Sequence, residues 1–223
     1  MKRTALVLSA FILLGMFYSC KQQSKSDKIK STTPEVSKVE IKLKGVEPDD
    51  SFYKAEVSYI DRDFEQSATE ILNGVDYMKK LLPFAKPDQK KVLQRSIDEL
   101  TDFAEDVRAD KVNGYKDFEY FFARAGKALC AHHLFLSETI AGEGNNNKEA
   151  ARNLLKAIHY LRSANAKSET GLTKDEQNTL DNYKKFAERI IKNDDMKDIK
   201  DIKKVFKEAF KNINSRLLIM GES

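Results

Sequence analysis

Nine apolar residues, Tyr53, Val57, Ile60, Phe64, Ala68, Ile71, Val75, Met78 and Leu82, follow one another at steps of three and four. Steps of that size gather side chains on one face of an α-helix, whereas a strand changes face at every residue. A stripe that long cannot stay in water. It has to be buried against partners of its own kind, so the spacing alone commits this part of the chain to a helical assembly, read here as one long helix.

The same period recurs downstream. Pro83 and Pro87 end the first helix and open a second, with Leu93, Ile97, Leu100, Ala104 and Val107 inward and Gly114 beyond it. A third helix is predicted from Tyr115 to Ala141, with Gly142 as its stop and Asn147 or a neighbour capping the next. The fourth carries Ala150, Ala151, Leu154, Leu155, Ile158 and Leu161. Thr173-Lys174-Asp175-Glu176 forms a capping box that opens the fifth, with Leu180, Tyr183, Ala187 and Ile190 inward. After Asn193-Asp194-Asp195, a last helix lines up Ile199, Ile202, Phe206, Ala209, Ile213 and Leu217. The expectation is an all-α fold over residues 49–223. It is an antiparallel bundle of about six amphipathic helices, with an array of helical hairpins as the alternative. A charged fraction of 33% against 41% hydrophobic, four prolines and no tryptophan suit such helices.

The first 48 residues follow other rules. Lys2 and Arg3 precede an apolar run from Ala5 to Phe17, which ends at Ser19-Cys20 before the polar Lys21-Gln22-Gln23. A charged start, a short apolar region and a small residue before the break make an export signal. With Phe17, Tyr18 and Ser19 leading into Cys20, the junction resembles the processing site of bacterial lipoproteins. The resemblance covers the signal only. It implies that residues 1–19 are removed, that Cys20 is lipidated, and that the protein sits in the bacterial cell envelope. Lys21 resembles the class sorted to the outer membrane. Residues 20–48 then form the lipidated N-terminus and a flexible tether. Within it Val39, Ile41 and Leu43 alternate with Lys38, Glu40, Lys42 and Lys44, the pattern of a short strand over 38–44 or of an extended arm against the bundle.

Charge narrows the partners. The chain carries a net +4, but Lys2 and Arg3 belong to the signal, and seven lysines stand against three acids between Lys21 and Val46. The rest is slightly acidic, which excludes the basic footprint of a nucleic-acid binder. The basic tether reads first as a solubilising linker, with contact to anionic headgroups as the alternative, while the domain is expected to bind a protein or peptide. Lysines of the last helix, from Lys197 to Lys211, alternate with acids and read as a solvated face.

Chemistry-bearing residues are few. Cys20 and Cys130 are the two cysteines, so lipidation of the first leaves no intramolecular disulfide, and Cys130 reads as a small core residue. The third helix is apolar on nearly every side, which makes it the central one. His132 and His133 fall in or beside its core face. Cys130, His132 and His133 are therefore the candidate ligand contacts. We read the histidines as core residues with hydrogen-bond partners, and keep a metal, haem or small apolar ligand, enclosed by Phe118, Phe122, Leu129 and His132, as the alternative. His159 projects beside Arg152 and Lys156 and is expected to face water. No cofactor is expected. Glu-x-x-His pairs, a Cys-x-x-Cys-His haem motif and a Gly-x-Ser-x-Gly elbow do not occur, and Gly142-Glu143-Gly144 follows a helix, so it is a turn. No catalytic residue is assigned.

Overall fold

A computed structural model describes residues 48–144, 146–168, 171–192 and 201–221, which form an all-α fold. The signal, Cys20, the tether and the alternating stretch over 38–44 lie outside the described residues. Seven α-helices stand among those described: α1 (Asp49–Ile60), α2 (Phe64–Leu81), α3 (Pro87–Arg108), α4 (Tyr115–Glu143), α5 (Asn147–Ala166), α6 (Lys174–Lys192) and α7 (Ile202–Gly221). A short 3-10 turn, Leu82–Phe84, leads from α2 toward α3. Helices α1 to α6 pack mainly on their chain neighbours, whereas α7 returns to lie on α4 and α5. The arrangement is thus a run of antiparallel hairpins closed by its last helix.

The single long first helix is corrected to two. Arg62 adopts a left-handed φ of 61°, and the Asp63 carboxylate accepts a hydrogen bond from the Gln66 amide at 3.0 Å, capping α2. The break rotates one half of the stripe away from the core. Ala68, Ile71, Val75 and Met78 are buried on α2 as expected, but on α1 Phe52 and Ala55 turn inward while Tyr53 and Ile60 face out. A cap three residues ahead of Gln66 outranks continuous spacing, because it satisfies amides that the first turn leaves open.

Further along, every inward residue expected of α3 and α6 is buried, and on α3 Phe103 and Ser96 are buried with them. The Thr173 capping box forms, with Thr173 and Glu176 exchanging hydrogen bonds. Gly142 does not stop α4. The helix runs on to Glu143, and Gly144 at φ 78° supplies the left-handed cap. Asn146 then caps α5, accepting from the Glu149 amide at 3.0 Å.

α4 and α5 approach closely at Gly126. A β-carbon there would stand 3.1 Å from Ala164 Cβ and 3.3 Å from the Tyr160 carbonyl oxygen, and neither can move freely. Gly126→Val should therefore push the two helices apart and destabilise the fold by about 2–3 kcal/mol, read as a lower urea midpoint. A midpoint equal to that of the native chain would mean that the contact is slack.

Candidate functional site

The hairpin of α4 and α5 holds every chemistry-bearing group singled out in the described domain. α4 is central, as its composition implied: Cys130, Leu129 and His132 are fully buried and His133 nearly so. The polar groups gather on the second half of α4. His133 Nδ1 lies 2.9 Å from the side-chain oxygen of Asn153 on α5. The Asn153 amide nitrogen points the other way, donating to the Glu149 carbonyl at 3.0 Å. That orientation makes Asn153 the acceptor and places the proton of neutral His133 on Nδ1. Its Nε2 is then a bare lone pair, buried and without a hydrogen-bond partner among the described residues. The ring also stacks on Tyr160, 5.6 Å away and tilted by only 14°. One turn on, the Ser137 hydroxyl donates to the Ala150 carbonyl at 2.9 Å.

His132 corrects an expectation. Neither of its nitrogens has a partner among the described residues, although the ring is completely enclosed. The rise of a helix explains why the enclosure first imagined for it cannot form. Fourteen residues separate Phe118 from His132, about 21 Å along the axis, so one small ligand cannot touch both. The Phe118 end is filled by its own aromatic cluster. Phe118 meets Phe103 and Phe122 edge-on, and Phe122 stacks on Phe52 at 4.4 Å.

Burial sets the charge of the site. It lowers His132 to about 4, with nearby Lys156 pressing in the same direction. His133 falls to about 3, chiefly by burial and despite the Asn153 hydrogen bond, with His132 and Lys156 adding to the effect. Both rings are therefore neutral at neutral pH. Burial likewise pushes the Cys130 thiol far up, which keeps it protonated and a poor nucleophile. Cys130, His132 and His133 share one helix, but no group of three His, Cys, Asp or Glu suited to holding a metal ion occurs among the described residues. The rings of His132 and His133 stand 5.2 Å apart at 70°. Such a site can accept a hydrogen bond or offer a lone pair to a soft cation. Exchanging protons with a substrate in solvent would require the bundle to open.

His159 corrects a second expectation, since it does not face water. It pairs with Asp49 at the start of α1, and Lys167, about two turns further on and just past the end of α5, pairs with Glu56. Between these two contacts Phe52 lies on Phe122, with Lys167 over the same ring at 5.7 Å. The polar strip of α4 is spent on packing too. Arg124 binds Glu99 of α3 through two nitrogens at 2.6 and 2.8 Å, and Lys127 donates to the Met220 carbonyl of α7. Asn153 was legible as a polar residue inside an apolar stripe. The Asp49–His159 pair was not, because its members are 110 residues apart. No helix of the described residues is long and apolar enough to cross a membrane. Comparison with family models, curated proteins and solved structures yields no match.

Proposed function

We propose that the chain is a lipid-anchored protein of the bacterial cell envelope, favouring the outer membrane, whose helical domain serves as a non-enzymatic binding or structural module. The anchor rests on Phe17-Tyr18-Ser19-Cys20 following a charged and apolar leader. The module reading rests on one observation above others: Cys130, His132 and His133 are enclosed within the bundle, where a diffusing substrate meets none of them. What the domain offers the outside is a helical surface, and surfaces of that kind hold proteins or peptides. Cys20→Ala should abolish fatty-acid labelling and move the protein from the membrane to the soluble fraction. Unchanged fractionation would leave a secreted or otherwise held protein. Crosslinking in intact cells should then recover a protein partner, and turnover of a substrate by the purified domain would defeat the module reading.

A second reading is favoured by the unpartnered nitrogens of His132 and His133. They suit a soft cation or a small donor ligand held within the hairpin. Titration with Cu(I) or Zn(II), followed by thermal denaturation, tests it. A rise in Tm that His132→Leu removes would support a bound metal, and an unchanged Tm would leave the nitrogens as a feature of the core.

A further inference from the structure

The turn between α1 and α2 is made of residues that a helix accepts. Asp61, Arg62 and Asp63 connect the two, and neither glycine nor proline stands anywhere from Asp49 to Asn73. The other described turns carry Pro83 and Pro87, Gly114, Gly144 or Gly171. Lacking such a residue, the first turn forces Arg62 to a left-handed φ of 61°, which glycine adopts freely and a residue with a β-carbon does not. The reversal of the chain rests on that strained residue and on the Asp63 cap of α2.

The break also leaves an apolar stripe unfinished. Tyr53, Val57 and Ile60 are 65%, 38% and 67% exposed. On a straight helix, at 100° per residue, they would fall within about 80° of Phe64, Ala68, Ile71, Val75 and Met78. One apolar face would then run unbroken from Tyr53 to Met78, with Ile60 a single turn from Phe64. Straightening strands no backbone group at the turn. The amides of Arg62 and Asp63 now donate to the carbonyls of Tyr59 and Ser58, and in a continuous helix they exchange these two acceptors.

We propose that this turn is a hinge through which two copies of the chain exchange α1. In the exchanged dimer α1 and α2 form one helix, and α1 of each copy lies on α2, α4 and α5 of the other. The contacts that seat α1 run to those helices, so a second copy supplies them unchanged. Phe52 lies against Gly74, where a β-carbon would collide with its ring, and stacks on Phe122 at 4.4 Å. The Ser67 hydroxyl donates to the Ala55 carbonyl at 2.8 Å. Asp49 meets His159, and Glu56 meets Lys167 just past α5. A foreign helix would have to match this aromatic ring and both acids at their spacing, whereas a second copy does so by construction. Only the hinge then differs between the two forms, and a short connection under strain favours exchange. The exchange does not depend on a lipid at Cys20.

Lys54 and Glu70 line one shallow groove between α1 and α2, so cysteines at these positions can be joined by a short bismaleimide. On a single straight helix they would stand about 24 Å apart, beyond the reach of that reagent. A link within one chain therefore reads the hairpin, and a link between chains reads the exchange. The full chain carrying Cys20→Ala, Lys54→Cys and Glu70→Cys is refolded from urea and then linked, with Cys130 buried out of reach. A short connection gives α1 an effective concentration on the order of 1 mM over its own hairpin. Refolding at about 10 µM should give linked monomer, whereas refolding at about 1 mM should give linked dimer in comparable amount. Arg62→Gly, which relieves the left-handed strain, should lower the dimer share at least about five-fold. Asp63→Ala, which removes a cap that only the hairpin uses, should raise the share at the lower concentration by a similar factor of about five. Absence of linked dimer from the native hinge at the higher concentration would overturn the proposal. So would a dimer share that ignores both hinge substitutions. Equal linking by chains carrying Lys54→Cys alone would also overturn it, because that result marks copies lying side by side without exchange.

Discussion

Lowering the pH from 7 to 5 should remove about 4 kcal/mol of stability from the helical domain, through His132 and His133 alone. Both rings are neutral in the folded state, with pKa values brought down to about 4 and about 3, mainly by burial. In the unfolded chain each returns to an ordinary value near 6.5. The sign follows directly. As pH falls through 6.5 the unfolded chain takes up two protons that the folded chain refuses, so stability is whole above that value and is lost below it. The loss continues until the pH reaches the folded values and then levels off. Each ring contributes at most about 1.4 kcal/mol per pH unit, and most carboxylates stay ionised above pH 5, which keeps the window clean. Urea denaturation at pH 7, 6 and 5 measures the effect. His132→Leu should remove about half of the dependence. A flat profile, or one that His132→Leu leaves unchanged, would mean that these rings are charged or solvated in the folded domain.

How far the sequence carried the fold depended on where each feature is decided. The stripe of α6 was legible in full and that of α3 all but Ser96 and Phe103, because one helix's own period settles which of its residues turn inward. The capping box at Thr173 is equally local. At Asp61–Asp63 two local signals competed, and the unbroken spacing from Tyr53 to Leu82 hid the cap that Asp63 offers to Gln66. The exposed face of α1 follows from that hidden break. The candidate site shows the same division. That His132 and His133 lie within the core could be read from the composition of α4. Whether they find partners depends on how α5 sits against α4, which no spacing within either helix records. Asn153 reaches one ring and nothing described reaches the other. The Asp49–His159 pair depends on the return of α1 over the far side of the hairpin, so no spacing along either helix announces it.

Two substitutions three residues apart on α4 should behave in opposite ways. Leu129 is fully buried within the core. Leu129→Asp forfeits about 2–3 kcal/mol of apolar burial. It also places a carboxyl among hydrocarbon neighbours, where the group either stays ionised at a prohibitive cost or protonates through a strongly raised pKa. The combined loss, about 5 kcal/mol or more, approaches the whole stability of an ordinary domain, so the variant should be unfolded or nearly so at neutral pH. His132→Leu exchanges a ring for a side chain of similar size and removes two buried nitrogens that have no partner among the described residues. Leaving such groups dry costs about 1–3 kcal/mol, so the exchange should be neutral or raise stability by about 1 kcal/mol at pH 7. The gain should widen as the pH falls, because the leucine variant has one less proton to refuse. Circular dichroism and urea midpoints of the two variants decide the matter. A loss of more than about 2 kcal/mol on His132→Leu at pH 7 would show that the imidazole is held by something, and that a bound cation or ligand, not plain packing, explains why a histidine stands there.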